Sequence, residues 1–172
     1  MNIAYVMAEG RGDTDLLLAD LADRLIAGGA RLCGTVQINT DRPDTHRCDM
    51  DVRVLPDGPT LRISQNLGAA ARGCRLDPAA LETAVARAEA RLAQGADMLI
   101  INKFGKHEAE GRGFRGAIAE AAARGIPVLV GLNSLNAEAF HAFTAGLAVQ
   151  IPADINELMI WAFAEVEPRV AA

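Results

Sequence analysis

The chain has 172 residues, 51% of them hydrophobic and 23% charged, with a formal net charge of −5. That length suits one globular domain around one core, and the composition excludes a disordered chain. The acidic balance gives no global attraction to nucleic acid or anionic lipid, so neither is expected as a partner.

Residues 2–7 read as a short buried strand that meets Glu9 and Arg11 at once. There is no basic leader and no apolar stretch long enough to cross a bilayer, so a cytoplasmic protein is expected. Residues 8–13 form a glycine-containing turn, and 14–27 a helix with Leu16, Leu17, Leu21 and Leu25 on one side, stopped by Gly28 and Gly29. The apolar run in 31–37 is expected as a parallel neighbour of the first strand, completing a βαβ unit.

Between residues 39 and 77 the pattern changes to an insertion. Residues 51–55 and 60–64 flank Pro56-Asp57-Gly58-Pro59, which predicts a hairpin around a tight turn. Residues 63–75 are polar and glycine-punctuated, and read as a loop. Asp77-Pro78 starts a helix to about residue 94, since Asp accepts free amides and Pro loses no hydrogen bond at the first helical position. A strand at 97–101, a helix at 111–124, a strand at 126–131, a helix at 136–145 and a strand at 147–151 follow. Asp154-Ile155-Asn156-Glu157 opens a C-terminal helix as a capping box. Trp161 and Phe163 on that helix read as core or subunit contacts, which leaves a homo-oligomer open.

Strict alternation of β and α elements predicts an α/β fold over residues 1–172, a mainly parallel sheet with helices on both faces and a β-hairpin insertion at about 39–77. Ligands in such sheets bind beyond the carboxyl ends of the strands. Two loops fall there: the turn after strand one, and the segment after Ile101.

The turn Gly10-Arg11-Gly12-Asp13-Thr14 leads from a strand into a helix, where free amides and the helix dipole favour an anion. Aligned with the phosphate-binding pattern G-x-x-x-x-G-K-[ST], Gly12 and Thr14 fit, but Asp13 stands at the lysine and Met7 at the first glycine. The alternative is that Asp13 and Asp15 only cap the helix. The second segment, Asn102-Lys103-Phe104-Gly105-Lys106 through Arg112 to Arg115, is a dense polar cluster at a strand end.

Charge is segregated. Residues 62–76 hold three arginines and no acid, while 102–115 hold four basic residues against Glu108 and Glu110. Guanidinium forks beside oriented amides suit a compact oxyanion. The candidate anion-binding residues are therefore Gly10, Arg11, Gly12, Asp13, Thr14, Ser64, Gln65, Arg72, Arg75, Asn102, Lys103, Gly105, Lys106 and Arg112. Pairing of these arginines with acids elsewhere is the competing explanation. His46, His107 and His141 lack metal-ligand spacing with Cys33, Cys48 and Cys74, so no zinc site is expected, and the three scattered thiols predict no disulfide framework. No nucleophile for covalent catalysis stands out.

The motifs Ile63-Ser64-Gln65-Asn66-Leu67-Gly68, Arg72-Gly73-Cys74-Arg75-Leu76-Asp77 and Asn102-Lys103-Phe104-Gly105-Lys106 with Glu108 and Gly111-Arg112-Gly113 resemble those of a bacterial family of unknown function encoded near molybdate-transport genes. More distantly, the layout is similar to a small nucleoside-triphosphatase family of the P-loop class, in which Gly105-Lys106 and Phe114-Arg115 have counterparts. That resemblance implies a P-loop NTPase-like three-layer sandwich with degenerate Walker A and Walker B motifs. It places Asn102 where the magnesium-organising Asp would be, Lys103 at the catalytic Glu, and Asp13 at the phosphate-binding Lys, while Thr14 and Lys106 remain. An Asp13–Lys103 ion pair across the old phosphate site is expected. The resemblances together imply a non-hydrolysing protein of molybdenum metabolism that binds molybdate, tungstate or a related oxyanion, with nucleotide and magnesium disfavoured. Two alternatives stand beside it: a nucleoside-triphosphatase or kinase with a relocated lysine, and an adaptor that delivers molybdenum or regulates a protein of that pathway.

Overall fold

A computed structural model of the chain describes residues 2–10, 12–41, 48–65 and 76–170. Seven strands form one sheet: β1 (Ile3–Val6), β2 (Leu32–Asp41), β3 (Cys48–Val54), β4 (Thr60–Arg62), β5 (Met98–Ile101), β6 (Val128–Gly131) and β7 (Val149–Gln150). Six helices accompany them: α1 (Asp13–Ala27), α2 (Pro78–Ala93), α3 (Lys106–Ala109), α4 (Arg115–Ala123), α5 (Ala137–Phe143) and α6 (Ile155–Val170), with a 3-10 turn at Ser134–Asn136.

The strand order is β4-β3-β2-β5-β6-β1-β7. The run from β2 to β7 is parallel, and β3 and β4 add antiparallel at the β2 edge. The expected hairpin around residues 56–59 is present, but the insertion extends the main sheet because β2 runs on to Asp41 and pairs with β3 along its length. The expectation that β2 neighbours β1 is corrected. β5 and β6 lie between them: β1, β5 and β6 are buried along their whole length and fill the sheet interior, while β2, exposed at Ile38, is carried outward to meet the hairpin.

Two apolar layers follow from the alternation of side chains along the strands. On one face Leu18, Leu21 and Leu25 of α1 and Leu158 of α6 pack against Val6, Ile100 and Leu129. On the other, Leu81 and Val85 of α2, Ile118 of α4 and Phe140 of α5 cover Leu99, Ile101 and Val130. The helix ends obey their local signals. Asp77 accepts from the amides of Ala79 (3.0 Å) and Ala80 (3.2 Å), and Asp154 from those of Asn156 (2.8 Å) and Glu157 (3.2 Å).

The helix expected over residues 111–124 begins only at Arg115, as α4; the short α3, which was not expected, precedes it across a turn. Gly111 and Gly113 take positive φ (87° and 57°), a conformation that interrupts a helix. Among the described residues no helix is long and apolar enough to cross a membrane.

Candidate functional site

The glycine turn after β1 is present but closed on itself. Gly12 adopts φ 86° as the residue before α1, which suits only glycine without strain. The Ala8 amide donates to Thr14 Oγ1 (3.0 Å), and the Asp13 amide donates to the Gly10 carbonyl (3.3 Å). A Cβ placed on Gly10 would lie 1.9 Å from Asp13 Oδ2, so the Asp13 carboxylate is folded over its own turn. These amides are spent internally, and a carboxylate stands over the place where an anion would sit. Arg11 lies outside the described residues.

Asn102 directly follows β5 and is buried, at 4% exposure. Its Nδ2 donates to Asp15 Oδ1 (2.9 Å), its Oδ1 accepts from the Gln37 amide (2.8 Å), and Gln37 Nε2 donates to Asp15 Oδ2 (3.2 Å). Both ends of the carboxamide are thereby used to tie β5 to β2 and to the first turn of α1. Beyond it, a Cβ on Gly131 would meet the Asn102 carbonyl at 2.0 Å, so β6 and β5 approach there as only glycine permits.

The expected Asp13–Lys103 ion pair does not form: among the described residues no such pair exists, and both side chains are exposed. The strand order supplies the reason. β6 separates β1 from β5, which puts the two strand ends about 10 Å apart, and Asp13 turns back onto Gly10.

The segment after β5 is organised by Glu108, which is 3% exposed. One of its carboxylate oxygens accepts from the Gly105 amide (2.9 Å) and the other from the Phe114 amide (3.0 Å). Gly113 is required beside it, because a Cβ there would stand 2.2 Å from Glu108 Oε1. The stapled loop displays its cations outward. Lys106 (3.6 Å) and Arg112 both pair with Glu110, and the Arg112 hydrogen bond holds the Glu110 carboxyl below its ordinary range. Arg115 lies over the Phe143 ring, 4.2 Å from its centroid, and donates to the Glu108 carbonyl. Lys103 and Arg115 are the cations of this segment with no acidic partner among the described residues, and Arg115 is occupied by the Phe143 ring and the Glu108 carbonyl. The pairing of basic residues with acids, weighed as the competing explanation, therefore holds for Lys106 and Arg112, and likewise for Arg62 on Asp51 (2.9 Å).

Ser64 is also inward-facing. It is 8% exposed, accepts from the Met50 amide through Oγ (3.1 Å) and bridges to Leu76. It holds the hairpin, and Gln65 follows it half-buried. Arg72 and Arg75 lie outside the described residues. Since β4 and β1 are five strand spacings apart, roughly 24 Å, Ser64 and the Gly10 to Thr14 turn do not share one compact anion site.

What the fold does bring together is a cleft of about 440 Å³ on the α2 face of the sheet, beside the middle of β2 and past the carboxyl end of β5. Val52, Ile63, Leu76, Leu81 and Phe114 make its apolar side, Thr35, Gln37 and Asn102 its polar floor, and Lys103, Lys106, His107 and Arg112 its basic rim, with Gly105 between them. Sequence reasoning missed Thr35, Gln37 and His107. The first two carry a readable signal, polar residues two apart in an apolar strand, which share one face. Among the described residues no group of three or more His, Cys, Asp or Glu side chains is arranged to hold a metal.

With the geometry in view, three comparisons bear on it. A family model described as "Protein of unknown function (DUF2478)" matches residues 3–161. The chain is 36% identical over 159 residues to a molybdenum import ATP-binding protein, ModC 2, of Bradyrhizobium diazoefficiens; the match covers 92% of this chain but 18% of that protein. The chain thus spans less than a fifth of that relative's length. Its fold is similar to the solution structure of a human cancer-related nucleoside triphosphatase, with a TM-score of 0.57 at 17% identity over 87% of each chain. At that identity the likeness speaks for the fold, a P-loop NTPase-like α/β sandwich.

Proposed function

The chain belongs to the DUF2478 family, and on that premise we propose that it is a non-hydrolysing oxyanion-binding protein of molybdenum metabolism that takes molybdate or tungstate. One observation carries the reading: Asn102 and Thr14, two of the residues at the hydrolase positions, have their side chains engaged by neighbouring residues of the chain. The Asn102 carboxamide is bonded to Asp15 and to the Gln37 amide, and Thr14 Oγ1 is bonded to the Ala8 amide. A neutral amide held this way offers a magnesium ion no carboxylate, and Asp13 repels the polyphosphate that a lysine would attract. With unit charges about 4 Å apart worth ~4 kcal/mol at an effective dielectric near 20, exchanging lysine for aspartate weighs heavily against triphosphate.

Positive charge remains at the end of β5. Lys103 has no acidic partner among the described residues, and Lys106 and Arg112 share the carboxylate of Glu110, so an arriving dianion can displace that carboxylate and collect charge-assisted hydrogen bonds. The anion is therefore assigned to the rim formed by Lys103, Gly105, Lys106 and Arg112 rather than to the glycine turn. Similarity to a molybdenum import ATP-binding protein supports the choice of oxyanion. Calorimetric titration with molybdate, tungstate, sulfate and phosphate tests it. Millimolar or tighter binding of molybdate or tungstate that weakens about tenfold in Lys103→Ala is expected, and no binding of any of the four ends the proposal. Magnesium-dependent phosphate release from ATP, abolished by Lys103→Ala, would replace it with a hydrolase using a relocated lysine.

A second reading, an adaptor in molybdenum delivery or regulation, draws on a different observation: a counterpart of nearly this whole chain forms a small part of a much longer import ATP-binding protein. It predicts co-purification with such a protein that survives neutralisation of Lys103, Lys106 and Arg112.

A further inference from the structure

The cleft is poorly matched to an inorganic ion alone. Its 440 Å³ corresponds to roughly fifteen waters of liquid volume, whereas a four-oxygen anion at the rim would displace only a few. The remaining space is bounded by Val52, Ile63, Leu81 and Phe114, all buried hydrophobic side chains. Such a surface gives a bare oxyanion nothing, and it gains by covering an apolar body.

A polar group marks where that body ends. Thr35 is 1% exposed and lines the cleft, and its hydroxyl has no hydrogen-bond partner among the described residues. That hydroxyl is open to the cleft rather than sealed from water, so a ligand that displaces water there does best with an atom that bonds to it. Thr35, the apolar side and, at the rim, Lys103 and Arg112 line the same cleft.

We infer that the cleft binds an organic oxyanion: a flat ring system of about purine size seated between Thr35 and Phe114, with a phosphate or comparable anionic group at Lys103 and Arg112. This rests on the oxyanion reading of the same rim and names the class of molecule that carries the anion. The ring lies on the α2 face, while the glycine turn leads into α1 on the opposite face. The inference therefore places no part of the ligand against residues 8–14.

Amide NMR titration of the full chain tests it with guanosine 5′-monophosphate, guanosine, inorganic phosphate and molybdate as probes. The monophosphate should bind about tenfold or more tightly than either guanosine or phosphate and shift the amides of Thr35, Gln37, Leu81 and Phe114. Thr35→Val, a near-isosteric change, should weaken the monophosphate about threefold to tenfold and leave phosphate unaffected, whereas Lys103→Ala should weaken both. Monophosphate binding without molybdate binding would support the organic ligand while removing molybdate from the proposed function. Molybdate or phosphate binding as tight as the monophosphate would overturn the inference and leave the oxyanion reading standing. Shifts centred on residues 8–14 would overturn it in favour of a nucleotide at the glycine turn, and no binding by any probe would end both readings.

Discussion

Asn102→Asp restores, in composition, the carboxylate that a P-loop hydrolase keeps at the end of this strand, and the structure says it should harm the protein. The amide nitrogen of Asn102 donates to Asp15 Oδ1 at 2.9 Å from a site that is 4% exposed. Exchanging that NH₂ for a carboxylate oxygen turns a charge-assisted hydrogen bond into a contact between like charges. At this separation the repulsion is roughly 5 kcal/mol with an effective dielectric near 20, and the lost hydrogen bond adds about 1.5–3 kcal/mol. Rotation of Asp15 toward solvent relieves part of this, so a net loss of about 3–5 kcal/mol is expected at pH 7, a large share of a domain's total stability. The penalty should shrink as the pH falls toward 5, because a proton shared between the two carboxyl groups restores a hydrogen bond. Urea unfolding followed by circular dichroism at pH 7 and pH 5 measures both effects. An unchanged midpoint at pH 7 would refute the closed Asp15–Asn102–Gln37 arrangement and with it the case against hydrolysis.

Three further outcomes are expected. Glu108→Ala strips acceptors from the Gly105 and Phe114 amides and should lower stability by about 2–4 kcal/mol in thermal or urea unfolding. Gly34→Ala would put a Cβ 1.9 Å from the Ile100 carbonyl, so the β2–β5 pairing must part, and faster amide hydrogen exchange in both strands should report it. Burial pushes the Cys33 thiol up to about 12 from an ordinary 9.0, so this thiol should resist alkylation at pH 8 until urea is added, as peptide mass spectrometry would show. Because the folded value lies above the unfolded one, its contribution to stability is complete below pH 9 and is lost as the pH rises toward 12.

The residues that speak through short-range chemistry were legible from the chain alone. Asp77 and Asp154 announce helix starts and Pro56 to Pro59 a hairpin turn, each through a rule spanning a few neighbours. Alternation of strands and helices determined the α/β class in the same way. Lateral order in the sheet was decided only by the tertiary structure, because it depends on which strands are buried on both faces and so compete for the centre. β5 and β6 took it, and their insertion between β1 and β2 left Asp13 apart from Lys103. Packing of α1 against β2 then brought Asp15 to Asn102, and folding of the loop after β5 gave Glu110 to Lys106 and Arg112. The Asp15–Asn102 pair joins residues far apart in sequence, so no rule spanning a few neighbours contains it; Glu110 is close in sequence to both its partners, yet Arg112 reaches it only through the turn at Gly111.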